Sequence, residues 1–316
     1  MMEEDRDANR NTALKVFLED DKPRPSIVPA NNTVPELFTY DPLPDEPLRT
    51  RILTLLGGDD MQPIQCTLRS VNLGDFAEQG IQYEALSYCW GSAAKADLVS
   101  IFCNGRRLNI TRNLKMALNN LRPKQGERIL WVDAICTNQE DKPECARQVP
   151  KMRDIYGRAT SVVVWIGESN HACRGSFRVL EYLSKLHIGA QGTTMKFDEI
   201  KSRAHKIPLD GYPAKLSFNL AFAMVQVMEK AEWFSRVWVL QEVALAQSVS
   251  VMCGRQTITW DSFEKGMLVR ALIAAEDRRT SRFLLRQLDV GVLRVVELRR
   301  AILSTKLLKI RRQMKA

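Results

Sequence analysis

One carboxylate is conspicuous in residues 233–246, a largely apolar stretch with helical spacing. Glu242 lies near the middle of this stretch, one helical turn after Trp238. Burying a carboxylate in apolar surroundings is costly unless the charge is paired or acts on a ligand. The sequence therefore predicts that Glu242 either acts on a bound molecule or forms an ion pair with Arg236 or another cation.

Two further strings lie at the predicted carboxyl ends of strands. Residues 83–91 read Tyr-Glu-Ala-Leu-Ser-Tyr-Cys-Trp-Gly and place Ser87 and Tyr88 at the end of one strand. Residues 130–136 read Leu-Trp-Val-Asp-Ala-Ile-Cys and place Asp133 directly after another. Ligands of open parallel sheets bind at the carboxyl ends of the strands. These side chains are therefore predicted to face a ligand crevice.

The elements that would position these residues follow from short apolar runs that alternate with helical periodicity. The predicted strands are 51–55, 64–68, 84–88, 99–103, 128–132, 161–165 and 249–253. The predicted helices are 114–121, 143–156, 177–186, 216–230 and 234–246. A helix between two buried strands is typical of a βαβ unit, so we expect an α/β fold with a mainly parallel sheet flanked by helices, with added strands and a C-terminal helical region.

Local signals predict how two of these elements begin and turn. Asn104 and Gly105 after a strand are typical of a tight hairpin turn. Asp141, followed by Pro143 and Glu144, is a strong start for a helix. Pro150 then lies in the interior of that helix, where its missing N–H should interrupt the backbone hydrogen bonds.

The positive charge is concentrated at the C-terminus. The chain has 316 residues and a formal net charge of +9. Residues 294–316 carry eight Lys and Arg against one Glu, so the remaining residues carry a net charge of only about +2. An acidic surface is therefore a candidate partner for the basic segment 294–316, and no specific nucleic acid is expected.

Several function classes are excluded or disfavoured by composition. The seven cysteines include no Cys-x-x-Cys pair, so we expect reduced thiols and no metal site. Neither Gly-x-Gly-x-x-Gly nor a Walker pattern occurs, which disfavours a Rossmann oxidoreductase or a P-loop nucleotidase. The acidic residues 1–12 are unlike a secretory signal, and no apolar run approaches the roughly 18 residues of a membrane span, so a cytoplasmic location is expected.

The strings described above resemble three ordered blocks of the heterokaryon incompatibility (HET) domain of filamentous fungi. The matching blocks are 83–91, 131–139 (Trp-Val-Asp-Ala-Ile-Cys-Thr-Asn-Gln) and 233–242 (Trp-Phe-Ser-Arg-Val-Trp-Val-Leu-Gln-Glu). Thr137 replaces the family's usual Ile, and Ser92 stands where an Asp commonly follows the Gly. The resemblance implies non-self recognition and programmed cell death, a form of fungal innate immunity.

The HET domain is in turn similar to TIR domains, which have a flavodoxin-like fold. Trp238 and Glu242 match the Trp-x-x-x-Glu of TIR enzymes, whose Glu catalyses NAD⁺ cleavage. The resemblance therefore implies that NAD⁺ is a substrate rather than a bound cofactor, with Glu242 stabilising the cation that forms on the ribose. The implied substrate-binding residues are Ser87, Tyr88, Trp90, Asp133, Arg236 and Trp238.

The residue types leave other roles open. Trp90 and Trp238 either stack on a nucleotide ring or anchor the core. Asp133 either binds ribose hydroxyls or holds the following loop through backbone hydrogen bonds, and Arg236 pairs with phosphate or with Glu242. The alternative function is a non-catalytic signalling module that acts by self-association.

The domain organisation is predicted from the same patterns. Residues 1–47 are rich in Pro, Asp and Asn and are predicted to be a poorly ordered lead. Residues 48–260 form the predicted HET domain, with its motif core at 83–246, and residues 261–316 a helical, basic extension. Self-association and an unknown upstream incompatibility partner are the expected interactions.

Overall fold

The computed structural model describes residues 35–78, 82–91, 94, 97–169, 171–186, 202, 218–236, 239–276, 296, 299 and 301. The chain divides into two compact units, residues 1–162 and 163–316. Each unit combines strands with helices, which confirms the predicted α/β class. The domain boundaries predicted at residues 47 and 260 stay predictions.

The first unit contains six described strands. They are β1 (Arg49–Leu56), β2 (Gln65–Asn72), β3 (Glu84–Tyr88), β4 (Leu98–Cys103), β5 (Arg106–Thr111) and β6 (Glu127–Trp131). Their order in the sheet is β5-β4-β2-β1-β6-β3. The pairs β2–β4 and β3–β6 are parallel, whereas β1–β2, β1–β6 and β4–β5 are antiparallel.

This arrangement corrects the prediction of a mainly parallel sheet, because the sheet is mixed. Parallel neighbours need a crossover of about a dozen residues or more. The connection between β1 and β2 spans only residues 57–64, and β4 joins β5 through Asn104 and Gly105 alone. Both turn residues have positive φ, 49° and 76°, which confirms the predicted tight hairpin turn.

Five described helices complete the first unit: α1 (Leu73–Glu78), α2 (Arg112–Leu121), α3 (Asp133–Cys136), α4 (Lys142–Gln148) and α5 (Met152–Arg158). The Asp141 Oδ1 atom accepts a 3.0 Å hydrogen bond from the Glu144 N–H, so the predicted helix start is confirmed. A short 3₁₀ segment, Val149–Lys151, separates α4 from α5. Pro150 lies at its centre, as expected of a residue that cannot donate a helical hydrogen bond.

The second unit holds the remaining described elements. The strands are β7 (Ser161–Trp165), which begins at the unit boundary, β8 (Val249–Cys253) and β9 (Gln256–Thr259), and the helices are α6 (His171–Lys185), α7 (Phe218–Glu229), α8 (Val239–Ala244) and α9 (Trp260–Glu276). A 3₁₀ turn, Glu232–Ser235, precedes α8, so the predicted helix at 234–246 is divided. Among the described residues no helix has the length and apolar character to cross a membrane.

Two predicted segments fall largely outside the described residues. Residues 189–212 are polar and irregular in sequence, which predicts an insertion or a long loop, and they lie outside the described residues except for residue 202. The basic C-terminal helix is represented by Val296, Arg299 and Ala301, which are helical. Val296 is fully buried and Arg299 is 6% exposed.

Candidate functional site

Glu242 lies in the first turn of α8 and is 4% exposed. Its Oε1 atom is 3.6 Å from Nη2 of Arg236, whose side chain is about one quarter exposed. The two charges therefore form an ion pair at the start of α8. The sequence predicted that Glu242 either pairs with a cation or acts on a bound molecule. The ion pair is present, and this geometry is also compatible with action on a ligand.

The segment before Arg236 is held by aromatic packing. The rings of Trp233 and Phe234 meet edge to face at 5.1 Å, and Phe234 stacks on Phe263 of α9 at 5.9 Å. Arg236 itself is extended, with φ −76° and ψ 136°, which ends the 3₁₀ turn. The buried rings thus fix the point from which the Arg236 side chain reaches Glu242.

Arg299, which sequence reasoning did not single out, contacts the other end of α8. Its guanidinium donates hydrogen bonds to the carbonyl oxygens of Val243 and Ala246, and lies 5.8 Å from the centre of the Trp260 ring. Cations near a helix C-terminus stabilise its unpaired carbonyls. Burial lowers the pKa of Arg299 below its usual value. Only a tertiary contact of this kind reveals the residue, because nothing in its local sequence marks it.

The first unit contains a second pair of predicted site residues in direct contact. The Trp90 Nε1–H donates a 2.8 Å hydrogen bond to Oδ2 of Asp133. The other carboxylate oxygen of Asp133 accepts the Ala134 N–H at 2.7 Å. The Asp133 carbonyl oxygen accepts from the Gln139 side chain at 2.9 Å. Asp133 therefore binds Trp90 through its side chain and the following loop through its backbone.

Parallel pairing explains why these two residues meet. Strands β3 and β6 run side by side in the same direction, with Ala85 opposite Trp131. Their carboxyl ends therefore lie at one edge of the sheet, as the sequence predicted. Ser87 and Tyr88 are 1% and 2% exposed, so both side chains are enclosed where β3 ends.

The loop that carries Trp90 is held from the start of α2. The Asn113 side chain donates a 2.6 Å hydrogen bond to the Cys89 carbonyl. Gly91 follows Trp90 with φ +72°, a conformation in which a β-carbon would be strained. Sequence reasoning missed Asn113, although its place just after the helix cap Thr111 is a signal for a backbone-binding side chain.

The predicted site residues thus fall into two groups. The first unit holds Ser87, Tyr88, Trp90 and Asp133, and the second holds Arg236 and Glu242. Trp238, also predicted, lies outside the described residues. Among the residues that the structure describes, no cluster of three or more His, Cys, Asp and Glu side chains is suited to hold a metal ion.

Comparison with known proteins assigns the chain to a class and a family. An α/β fold with these motif residues agrees with a family model described as "Heterokaryon incompatibility protein (HET)", which matches residues 83–242. This segment is just over half of the 316 residues, and the chain belongs to the HET family. The resemblance inferred from the three sequence blocks is thereby confirmed.

One curated relative is "Heterokaryon incompatibility protein 6, OR allele" of Neurospora crassa. It is 28% identical over 255 residues, which cover 71% of this chain and 36% of the relative. The chain therefore spans about a third of the length of the curated relative that it matches. No solved structure matches the chain.

Proposed function

We propose that the chain acts in fungal heterokaryon incompatibility, a non-self recognition response that ends in cell death. Membership of the HET family and the name of the Neurospora crassa relative support this assignment. We further propose that its biochemical activity is the hydrolysis of NAD⁺, with Glu242 as the catalytic carboxylate. This finer proposal draws on the resemblance of residues 238–242 to the Trp-x-x-x-Glu of TIR enzymes.

The proposed reaction breaks the bond between the ribose C1′ and the nicotinamide nitrogen. The bonding electron pair leaves with nicotinamide, which becomes neutral, and positive charge develops on the ribose. Water then adds to C1′ and loses a proton, so the products are nicotinamide, ADP-ribose and H⁺. A fixed carboxylate beside C1′ lowers the energy of the cationic transition state.

The observation that carries the proposal is the ion pair between the buried Glu242 and the partly exposed Arg236. At 4% exposure, Glu242 has little water around it, so its charge acts on a neighbouring cation more strongly than it would in solution. The 3.6 Å contact is longer than the about 2.7–2.9 Å of a tight charge-assisted hydrogen bond. Arg236 therefore compensates the carboxylate through an ion pair that a cationic ribose could replace.

Nicotinamide release by the purified full chain tests the activity. The protein is incubated with NAD⁺ both dilute and concentrated with a crowding agent, because we further propose that self-association assembles the active form. Glu242→Gln keeps the shape of the side chain and removes its charge, so it is expected to reduce release at least about a hundredfold. Release that continues unchanged in this variant would place the catalytic carboxylate elsewhere.

Glu229→Gln is the matched control. Glu229 is a buried carboxylate of the same unit, 1% exposed and 2.7 Å from Nη1 of Arg270. Glu229 lies at the end of α7, so its substitution removes a buried charge and leaves the sequence of α8 unchanged. The control is expected to lower stability while folded protein retains nicotinamide release. An equal loss of release in both variants would show that the Glu242 effect is one of folding.

The first-unit residues are tested separately. Trp90→Phe removes the indole N–H, and Asp133→Asn removes the carboxylate charge. If these residues bind NAD⁺, both variants raise KM for NAD⁺ while the protein remains folded. An unchanged KM would confine Trp90 and Asp133 to a structural role.

A non-catalytic module that signals by self-association is the second candidate function. The Arg236–Glu242 ion pair is compatible with this candidate as well, because an ion pair at the start of α8 can hold the helix in place without binding a ligand. Light scattering of the chain under the same crowded conditions would report self-association. Folded, self-associated wild type without nicotinamide release would support this candidate over the enzyme.

A further inference from the structure

The loop that follows Asp133, residues 134–141, includes the rest of helix α3 and packs on a buried ion pair. Arg51 donates to Oε1 and Oε2 of Glu144 at 2.6 and 2.9 Å, and the two side chains are 5% and 2% exposed. This two-point geometry is the strongest form of an arginine–carboxylate contact. The Asn138 N–H also donates to Glu144 Oε1 at 2.7 Å, so the ion pair holds the loop from one side.

The same arginine connects the loop to residues near the start of the described chain. Arg51 donates to the carbonyl oxygens of Cys136 at 3.2 Å and Asp41 at 2.7 Å. The Tyr40 ring centre lies 5.0 Å from the Arg51 guanidinium. The Tyr40 hydroxyl donates a 3.1 Å hydrogen bond to the Ile135 carbonyl. Tyr40, Arg51 and Glu144 thus contact three successive parts of the loop.

The loop contains little regular structure that would be stable on its own. Helix α3 has only four residues, and Val132 at its start makes no side-chain capping bond. A single helical turn is unstable on its own because fixing its backbone costs more than one hydrogen bond returns. The conformation of Asp133 therefore depends on the tertiary contacts that Tyr40, Arg51 and Glu144 make with the loop.

We infer that Tyr40, Arg51 and Glu144 are positioning residues for the Trp90–Asp133 pair. They fix the loop at Ile135, Cys136 and Asn138, and thereby hold the Asp133 carboxylate where the Trp90 indole can donate to it. Tyr40 and Arg51 lie upstream of residues 83–242, the segment that the family model matches. In this chain, the arrangement of the first two blocks thus depends on two residues outside the segment that the family model matches.

The indole N–H of Trp90 provides a direct test. The full chain is labelled with ¹⁵N, and the Trp90 Nε1–H signal is assigned by its absence in Trp90→Phe. Tyr40→Phe keeps the ring over Arg51 and removes only the hydroxyl bond to Ile135. It is expected to shift this signal and to speed its hydrogen exchange about tenfold, because one bond that fixes the loop is lost.

Tyr83→Phe is the control, since it also removes a buried tyrosine hydroxyl from a carbonyl. The Tyr83 hydroxyl donates to the Ile155 carbonyl at 2.5 Å, outside the loop that follows Asp133. This variant is expected to lose comparable stability and to leave the Trp90 indole exchange rate close to that of wild type. Equal exchange in Tyr40→Phe, Tyr83→Phe and wild type would overturn the inference.

A second variant tests the ion pair. Glu144→Gln retains an oxygen for the Asn138 N–H and removes the charge that holds Arg51. The inference requires that Glu144→Gln shifts the Trp90 indole signal as Tyr40→Phe does, and by a larger amount. An undisplaced signal in folded Glu144→Gln would overturn it. Because the readout is the indole itself, the result is independent of whether the protein cleaves NAD⁺.

Discussion

The indole of Trp90 donates its hydrogen bond to Asp133 across 43 residues of sequence, at a distance of 2.8 Å. The bond joins residues 83–91, the first of the three sequence blocks that resemble the HET family, to residues 131–139, the second, at one edge of the sheet. The Asp133 carboxylate accepts a second hydrogen bond, because its other oxygen binds the Ala134 N–H at the start of α3. The pair is therefore a fixed structural unit on which any ligand role of either residue would be built.

A double-mutant cycle is expected to show that the two side chains are coupled. Trp90→Phe removes the donor and Asp133→Asn weakens the acceptor, so each is expected to cost about 1–3 kcal/mol in the free energy of unfolding. The double variant is expected to lose at least about 0.5 kcal/mol less free energy of unfolding than the sum of the two single losses. Urea denaturation measures all four proteins. Strict additivity would show that the bond contributes nothing to stability.

The buried and exposed ion pairs of the first unit should differ sharply in strength. Glu144→Gln leaves Arg51 without its charge partner in a buried position, so a loss of about 3–5 kcal/mol is expected. Glu46 pairs with Arg49 at 2.6 Å, but its side chain is 45% exposed. Glu46→Gln is therefore expected to cost at most about 1 kcal/mol. Similar denaturation midpoints for the two variants would contradict this ranking.

Some elements could be predicted closely because their signals are local. Strands β3, β7 and β8 have the predicted bounds, since each is an apolar run ended by turn residues or a polar loop. Two strands, β5 and β9, lie outside the predicted set. Strand β5 has the sequence Arg-Arg-Leu-Asn-Ile-Thr and only one buried residue, and β9 has four residues. Neither offers the apolar run by which a strand is identified from sequence.

The candidate site shows the same division between local and tertiary information. Parallel strands with polar residues at their ends were enough to predict that Ser87, Tyr88 and Asp133 lie at one edge of the sheet. Tyr40 and Arg51 could not be found in this way, because they reach the loop from another part of the chain. The break before α8 was also missed, since the aromatic packing that favours an extended Arg236 is tertiary.

Glycine substitutions should reveal how closely two helices of the second unit approach. A β-carbon at Gly266 in α9 would lie 2.4 Å from the Leu180 carbonyl oxygen in α6, so one backbone would have to move. Gly266→Ala is expected to cost about 1–3 kcal/mol. Gly157→Ala in α5 meets no atom within 4 Å and is expected to gain about 0.5–1 kcal/mol. A neutral Gly266→Ala would show that the helices separate readily.

Stability should fall in alkaline solution through the Cys136 thiol. Burial raises the pKa of Cys136 from 9.0 to about 12, so the folded chain retains a proton that the unfolded chain releases. This contribution is complete below pH 9 and is lost as the pH rises towards 12, at up to about 1.4 kcal/mol per pH unit. Cys136→Ser removes the titration, so between pH 9 and 10.5 it should lose up to about 2 kcal/mol less than wild type. Urea denaturation between pH 9 and 10.5 measures the free energy of unfolding. An equal pH dependence of this free energy in wild type and Cys136→Ser would contradict the prediction.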